Sequence, residues 1–347
     1  MKVCIITVYD SVNCGSYLQA LILGKKCNQL GYDVYYLKRE YKYKLHLKIN
    51  HLKKAIKLLI KSGYCSYKSK RLLDREFRKK QHEFKVIGKK QLQNMDCIIV
   101  GSDTLWNINS SYFKNNYKLF FGGDFMNVKA ITYAISAANA KLDSILKLPN
   151  IKKYINNFYK LSVRDEATKT IAENLYDKKV HIVCDPTLLF EKKEYIELVG
   201  PKRESKKYIY LYLFEDLDAK QIQNIKSFAK NNDLKIIDGT QNKKWADKLL
   251  PNTPDIFLNY MYYADYIITD TFHGTIFSIN FQKQFVSIDR KKNKVNEILL
   301  RYGINNHLVQ SDNLSEKLIE LINYKEINQK ISKIRKESIE LLESIKN

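Results

Sequence analysis

One stretch of the sequence, residues 264–289, constrains the fold more than any other. It contains two short apolar runs rich in β-branched residues, Tyr266–Thr269 and Gln284–Ile288, of the kind that form strands buried on both faces. Between these runs, residues 276–281 carry apolar side chains at helical spacing. The stretch is therefore predicted to fold as a strand, a turn, a helix and a second, parallel strand.

The turn of this unit, residues 270–275, places polar groups at the carboxyl end of a parallel strand, where open α/β sheets bind ligands. It offers a carboxylate, two hydroxyls, an imidazole and a glycine that lets backbone N–H groups approach a ligand: Asp270, Thr271, His273, Gly274 and Thr275. The N-terminus of the following helix favours an anion. The turn is a candidate ligand site; the alternative is that Asp270 or Thr271 only caps the helix and His273 only fills space.

Strands at residues 2–8 and 98–100 are also predicted to end in polar turns. The first turn carries Asn13, Gly15 and Ser16. The second carries Ser102, Asp103 and Asn107, where the last two could bind a polyhydroxy ligand and Trp106 could stack on it or pack inside. Caps and core packing are the alternative here too. Later strands end in Ser136, in Arg164 with Asp165 and Glu166, and in Asp185-Pro186.

The length of 347 residues indicates two domains. Strands at residues 2–8, 33–37, 98–100, 130–134, 161–163 and 180–183 alternate with helices, and a second series follows at 208–213, 234–238, 266–269 and 284–288. Alternation of this kind predicts an α/β fold with two Rossmann-like, doubly wound domains facing a cleft. The predicted domains are residues 1–195 and 196–313, and a helical tail at 314–347 is expected to pack back on them.

The net charge of +23 favours anionic partners such as phosphorylated small molecules or an anionic membrane face. Nucleic acid is not expected, because the lysines are spread along the chain and no helix-turn-helix, zinc-finger or aromatic-glycine RNA motif is present. A basic insertion at residues 38–93 carries one apolar helical stripe: Leu45, Ile49, Leu52, Ile56 and Leu59. It is either a solvated helical face or a cationic surface that rests on a membrane or an anionic lipid-linked substrate.

The cellular compartment is predicted from cysteines and hydropathy. Six cysteines occur without a C-x-x-C pair, which indicates free thiols and neither disulfides nor a zinc site. No run of about 18 apolar residues could span a membrane, and residues 1–8 suit a first strand better than a signal peptide. The expected location is the cytoplasm, at the inner face of the membrane if the basic insertion binds there.

Six motifs, in order along nearly the whole chain, resemble the polysaccharide pyruvyl transferase family. They are NCGS with LQ at residues 13–19, GSDTLWN at 101–107, YA with S at 133–136, SVRDE at 162–166, CDPTLL at 184–189 and TDTFHGTIFS at 269–278. Two of these motifs depart from the family pattern. Thr104 and Leu105 stand where the family usually has Gln and Val, and Thr271 replaces a serine but keeps the hydroxyl.

The resemblance implies a fold similar to the glycosyltransferase-B type and a ketal-forming transfer. A pyruvyl group would pass from phosphoenolpyruvate to two hydroxyls of a sugar in a cell-surface or exopolysaccharide precursor, with release of phosphate. The implied partners are phosphoenolpyruvate as co-substrate and a sugar acceptor that is often lipid-linked. No cofactor is implied, and no metal-ligand spacing appears in the sequence.

The resemblance also implies roles for individual residues. Phosphoenolpyruvate carries a carboxylate and a phosphate, which fixed cations and helix N-termini must hold. His273 would be the acid/base or phosphate-polarising group, with the N–H groups of Gly274 and Thr275 on the phosphate. Arg164 would clamp the donor from across the cleft; the alternative is a salt bridge to Asp165 or Glu166. Asp103, with Asn13 and Ser16, is assigned to the acceptor hydroxyls.

Two other functions suit the same architecture. One is a glycosyltransferase with a nucleotide-sugar donor, which would need groups to hold a base and a ribose. The other is a non-catalytic glycan-binding relative. The joint presence of His273, Arg164 and Asp103 argues against the second.

Overall fold

The computed structural model describes residues 1–39, 73–125, 127–290, 293–310 and 314–346. Its first sheet is parallel and has the order β3-β2-β1-β4-β5. The strands are β1 (Lys2–Ile6), β2 (Asp33–Leu37), β3 (Val86–Ile87), β4 (Cys97–Val100) and β5 (Lys129–Thr132). A parallel pair, β6 (Leu161–Val163) and β7 (Val180–Ile182), continues this sheet through bridges from Ile131 to Lys160 and from Ile135 to Val163.

The second sheet is also parallel and has the order β10-β9-β8-β11-β12-β13. Its strands are β8 (Tyr208–Tyr212), β9 (Lys235–Asp238), β10 (Lys248–Leu249), β11 (Tyr266–Thr269), β12 (Gln284–Ile288) and β13 (Leu308–Val309). In both sheets the strand order reverses next to the first strand, which is the arrangement of a doubly wound fold and the place where such folds bind ligands. The prediction of two Rossmann-like halves is confirmed.

Helices connect the strands. They are α1 (Cys14–Gln29), α2 (residues 73–80), α3 (Ser111–Asn115), α4 (Tyr117–Phe120), α5 (Leu142–Leu146), α6 (Ile151–Ile155), α7 (Glu166–Glu173), α8 (Ile196–Val199), α9 (Ala219–Asn231), α10 (Pro254–Tyr263), α11 (Phe272–Asn280), α12 (Asn293–Tyr302), α13 (Leu314–Ile319) and α14 (Tyr324–Glu343). Short 3-10 turns occur at Gln81–Glu83, Lys89–Asn94, Pro186–Leu188, Lys192–Tyr195 and Asn305–His307.

Helix α1 joins the two halves. It is buried on most of its surface, because it packs on its own sheet and also against α10 and the turn at Pro186–Leu188. A helix that is apolar nearly all round suits such a position. At its start, the thiol of Cys14 donates to Oδ1 of Asn252 at 3.0 Å, and near its end Lys26 pairs with Glu194 at 2.9 Å. The two halves therefore share one continuous apolar core.

The C-terminal helix α14 returns to the first half. Ser338 Oγ accepts from the Cys184 N–H at 2.9 Å, and the Tyr32 hydroxyl donates to the Leu342 carbonyl at 2.7 Å. Its apolar face is buried at Ile327, Ile331, Leu341 and Leu342. Helix α14 thus braces the turn after β7, which supplies Asp185 to the site described below.

The predicted basic insertion, residues 38–93, lies largely outside the described residues, and so does its apolar stripe. Of the described part, residues 73–80 are helical, whereas Val86–Ile87 form the edge strand β3 rather than a helix. Strands β3, β10 and β13 were not predicted, because two residues are too few to show an alternating pattern. Among the described residues, no helix is long and apolar enough to cross a membrane.

Candidate active site

The turn between β11 and α11 is held by its own side chains. Thr271 is the N-cap of α11, and its Oγ1 accepts from the N–H of Gly274 at 2.9 Å. The N–H of Thr275 donates to the Thr271 carbonyl at 3.0 Å, and the buried Thr275 Oγ1 lies 2.8 Å from Ser287 Oγ. Both N–H groups that were predicted to bind phosphate therefore already have acceptors, and Thr271 takes the capping role that was the alternative.

Two other residues of the turn are structural. Asp270 is fully buried, and its carboxylate accepts from the N–H groups of Phe214 and Glu215 at 3.1 and 2.9 Å, which orders the loop after β8. A Cβ on Gly274 would lie 2.1 Å from Thr269 Oγ1, so glycine is needed for α11 to approach β11. The structure does not offer the Asp270 side chain to a substrate.

His273 is the second residue of α11 and lies against the start of α1. A Cβ on Gly15 would be 2.1 Å from His273 Nδ1, so the absent side chain of Gly15 leaves the space for the imidazole. Within the part of the chain that the structure describes, His273 Nε2 is buried without a hydrogen-bond partner. Buried polar atoms are rarely unpaired in native proteins, and an exception at a cleft suggests a ligand.

The imidazole of His273 is neutral at neutral pH. Burial lowers its pKa below the ordinary value of 6.5, and this outweighs the opposing charges of Asp185 and Asp103; Arg164 reinforces the shift. A neutral imidazole presents one N–H donor and one acceptor nitrogen. His273 can therefore accept a proton during a reaction, or donate a hydrogen bond to an anion.

Asp103 lies in the turn after β4, with its backbone in the left-handed region at φ 82°. Its Oδ2 accepts from Ser16 Oγ at 2.7 Å, while the side chain of Asn13 caps α1 by accepting from the Ser16 N–H at 3.1 Å. Burial raises the pKa of Asp103, but the charge of Arg164 and the Ser16 hydrogen bond act in the opposite direction and prevail, so the pKa lies below its ordinary value. Asp103 is an ionised hydrogen-bond acceptor.

Arg164 lies beside Asp103 at the end of β6 and is only 6% exposed. Its Nη1 donates to Asp185 Oδ2 at 2.9 Å, and its Nη2 is 4.0 Å from Asp103 Oδ1. The guanidinium lies 4.7 Å from the centre of the Phe272 ring, which belongs to the other half. Its Nε is buried without a hydrogen-bond partner among the described residues. Arg164 thus contacts α11 from the first half of the chain.

The partner of Arg164 is Asp185, which was predicted to lie at a strand end but not to pair with Arg164. Asp185 is held by Thr187, whose N–H and Oγ1 donate to Asp185 Oδ1 at 3.1 and 2.8 Å. The expected alternative, a salt bridge to Asp165 or Glu166, does not occur: Asp165 instead caps α7 by accepting from the Thr168 N–H at 2.8 Å. The available signal was the Asp-Pro pair after a predicted strand, at residues 185–186.

Four other predicted residues belong to the first half and are mainly structural. Ser102 and Ser136 are fully buried; Ser102 donates to Gln19, and Ser136 Oγ accepts from the N–H of Ala138. Trp106 is a packing residue, since it stacks on Phe121 at 4.7 Å and is fully buried. Asn107 is partly exposed, and its Oδ1 has no hydrogen-bond partner in the described ranges.

A larger cavity, of about 310 Å³, opens at the carboxyl edge of the first sheet. It is lined by the ends of β1 and β2 and by helices α3 and α4, and it includes Lys38, Tyr112, Asn116, Lys118 and Leu105. Leu105 lies two residues after Asp103, so the turn that carries Asp103 also forms one wall of this cavity. Among the described residues no group of three or more His, Cys, Asp or Glu side chains is placed to hold a metal ion.

The sequence profile of the family described as polysaccharide pyruvyl transferase matches residues 13–292. The chain belongs to this family. Its members are transferases, so the protein is a pyruvyl transferase that acts in polysaccharide synthesis. A comparison with curated proteins finds no match to the sequence.

Solved structures confirm the fold class of this pyruvyl transferase. UDP-GlcNAc 2-epimerase from Neisseria meningitidis, bound to UDP-GlcNAc, is 12% identical over 100% of both chains, with a TM-score of 0.52. The S. aureus MnaA–UDP structure is 11% identical over 91% of this chain and 85% of its own, with a TM-score of 0.53. The glycotransferase of kitacinnamycin is 11% identical over 99% and 98%, with a TM-score of 0.50. At these identities the likeness shows the glycosyltransferase-B type of fold alone.

The candidate site thus combines parts of both halves. Asp103 and Arg164 come from the first half, and His273 comes from the second at the start of α11. The first N–H groups of any helix lack intrahelical acceptors, so the start of α11 adds positive partial charge beside Arg164. This arrangement can bind an anion next to a neutral imidazole.

Proposed function

We propose that the protein transfers the pyruvyl group of phosphoenolpyruvate to two hydroxyls of a sugar in a cell-surface or exopolysaccharide precursor, with formation of a pyruvate ketal and release of phosphate. The observation that carries this proposal is the unpaired, buried Nε2 of His273 beside Arg164 in the cleft. Membership of the family supplies the reaction type.

The donor suits the charges of the site. Phosphoenolpyruvate has two anionic groups, and the site offers the guanidinium of Arg164 and the start of α11. Asp185 holds Nη1 of Arg164 and Asp103 lies 4.0 Å from Nη2, whereas Nε has no partner among the described residues and remains for a ligand oxygen. Phe272 covers one face of the guanidinium and so limits its contact with water.

The reaction requires one proton to move to carbon and one to leave with phosphate. Protonation of the methylene carbon makes the central carbon electrophilic, a first sugar hydroxyl attacks it, the C–O bond to phosphate breaks, and a second hydroxyl closes the ketal. The sugar loses two hydroxyl protons. One is equivalent to the proton gained by the methylene carbon as it becomes a methyl group, and the other is carried by the released phosphate. His273, neutral in the free protein, is placed to accept a hydroxyl proton and return it to the phosphate.

The acceptor is assigned to the first half. Asp103 has a depressed pKa and is a poor base, so its role is to accept a hydrogen bond from a sugar hydroxyl and orient it. The cavity behind its turn offers Tyr112 as an apolar platform, and Lys38 and Lys118 as cations for a phosphate-linked glycan. The net charge of +23 favours contact with an anionic membrane that carries a lipid-linked acceptor.

Thermal unfolding with phosphoenolpyruvate, UDP-sugars and GDP-sugars tests the donor. A ligand at about 100 times its dissociation constant stabilises a protein by about 2.7 kcal/mol. We expect stabilisation by phosphoenolpyruvate alone, its loss in His273→Ala and its retention in His181→Ala, a control at a half-buried histidine of β7 whose charged neighbours are Lys179 and Lys160. Stabilisation by a nucleotide sugar and none by phosphoenolpyruvate would favour the glycosyltransferase and overturn the proposal.

A further inference from the structure

A groove of about 410 Å³ lies where the two halves and helix α14 meet. Lys192 and Lys193 line it from the end of the first half, Asn280 lines it from the last turn of α11, and Ser332 and Arg335 line it from α14. The proposed donor site lies at the other end of α11, where that helix begins. The groove is therefore a separate feature of the molecule.

Hydrogen bonds to one segment of the first half fix the shape of the groove. The buried Asn280 donates through Nδ2 to the carbonyl oxygens of Thr187 and Phe190 at 2.9 and 3.1 Å. Arg335 donates through Nε to the carbonyl of Leu188 at 2.6 Å. Helices α11 and α14 are thus tied to the same turn, so the groove is already formed in the free protein, as ligand sites usually are.

The groove carries more positive than negative charge. Its lining includes two lysines, one arginine and a single carboxylate. That carboxylate, Glu191, lies 3.1 Å from the ammonium of Lys193 and 3.7 Å from the guanidinium of Arg335. Among the described residues, the ammonium of Lys192 makes no hydrogen bond and has no carboxylate within ion-pair distance; it lies 5.5 Å from the centre of the Tyr262 ring. Lys192 is the cation of the groove that lacks a counter-ion.

Lys192 is also partly buried and faces a like charge. Burial lowers its pKa below the ordinary value of 10.5. Burial, with the charge of Lys192, lowers the pKa of Lys283 to about 8. Lys202 reinforces this shift and Asp265 opposes it, while the ammonium of Lys283 donates to the Ala264 carbonyl at 2.9 Å. Neighbouring cations repel each other, and an anion beside Lys192 removes that repulsion.

We infer that this groove binds the diphosphate group of a small anionic ligand, with Lys192 as its principal cationic contact. The inference goes beyond the transfer reaction and does not depend on it. The space of about 410 Å³ is much larger than one phosphate group needs, since a water molecule occupies only about 10–15 Å³ of such space. A diphosphate brings two anionic groups, which Lys192 and the neighbouring Arg335 can hold, and Asn328 and Ser332 add neutral hydrogen-bond donors.

Calorimetric titration of the full chain with inorganic pyrophosphate and with UDP tests the inference. The two ligands distinguish a free diphosphate from a diphosphate ester, and an excess of phosphoenolpyruvate keeps the donor site occupied. Lys192→Gln should raise the dissociation constant of the tighter ligand at least about 10-fold, because a charge-assisted hydrogen bond is lost. Lys192→Arg should bind within a few-fold of wild type, because the positive charge is kept.

Two variants on α14 separate the groove from the net charge of the chain. Ser332→Glu places a carboxylate in the groove and should also weaken binding at least about 10-fold, because like charges repel. Lys333→Gln lowers the net charge by the same amount at the next position, an exposed residue that does not line the groove. It should bind pyrophosphate and UDP like wild type.

The outcomes test the groove independently of the proposed function. Absence of binding of both ligands to the wild type, or equal affinities of wild type, Lys192→Gln and Ser332→Glu, would overturn the inference. An equal loss of affinity in Lys333→Gln would also overturn it, because the effect would then come from net charge. Lys192-dependent binding of pyrophosphate in a protein that does not bind phosphoenolpyruvate would support the groove and overturn the proposed function. Should Lys192→Gln fail to fold, the comparison of Ser332→Glu with Lys333→Gln decides.

Discussion

Gly15 sets the position of His273, and its replacement by alanine tests that contact. The added Cβ would lie 2.1 Å from His273 Nδ1 and 2.4 Å from Cγ, whereas ordinary contacts begin at 3.4 Å. Either the imidazole or the start of α1 must therefore move by about 1.3 Å, which is the difference between these contact distances. The clash lies between the two halves and directly in the proposed site.

The expected effects on stability and on catalysis differ in size. Alanine in place of glycine in a helix gains about 1 kcal/mol, and overpacking costs about 1–3 kcal/mol, so the net change in unfolding free energy is small. A displacement of about 1 Å at a reacting group costs about 100-fold in rate. Gly15→Ala should therefore unfold within a few degrees of wild type and release phosphate from phosphoenolpyruvate about 100-fold more slowly.

Gly24→Ala is the matched control. It lies in the same helix, and its Cβ would meet the Tyr36 hydroxyl at 1.9 Å, a clash of similar severity inside the first half. We expect a similarly small change in melting temperature, and an unchanged affinity of the folded protein for phosphoenolpyruvate. Wild-type rate and donor affinity in Gly15→Ala would refute the role of Gly15 in positioning the imidazole.

Three further predictions concern donor binding, stability and metal. Arg164→Lys should raise the KM for phosphoenolpyruvate at least about 10-fold, because the planar guanidinium is lost, and it should change the KM for the sugar only slightly. An unchanged KM for phosphoenolpyruvate would contradict this prediction. Glu204 is buried and pairs with Lys235 and Lys248 at 2.9 and 3.0 Å, and these hydrogen bonds lower its pKa from 4.5 to about 2. Its pairing therefore stabilises the fold fully above pH 4.5 and progressively less as the pH falls toward 2. Glu204→Gln should cost about 1–3 kcal/mol in urea unfolding at pH 7, and the difference from wild type should shrink below pH 4.5; a constant difference would count against it. Finally, a chelator should leave the rate of phosphate release unchanged. Inhibition of phosphate release by the chelator would show that a metal takes part.

Most of the fold was predictable because its signals are local. Apolar runs such as β8 and β11 are long enough to identify as buried strands, and their alternation with helices specifies parallel sheets. The strands β3, β10 and β13 have two residues each. They are strands because each pairs with a neighbouring strand, and their own sequences do not indicate this.

The location of the candidate site was predictable from the sequence, but the roles of its residues were predictable only in part. The turn at residues 270–275 lies at the edge of the sheet, as expected from a polar turn after a buried strand. Within it, Thr271 and Thr275 look in sequence like ligands for an anion, yet the structure uses them to close the first turn of α11. Capping and ligand binding draw on the same side chains, so sequence alone does not separate them.

The sequence by itself determined the two α/β halves and the positions of the polar turns, and it identified His273, Arg164 and Asp103 as candidate site residues. Only the tertiary structure decided their partners: Arg164 pairs with Asp185, 21 residues away, rather than with adjacent Asp165. Strand order and the packing of α1 between the halves bring these groups together. Neither can be predicted from the spacing of residues along the chain.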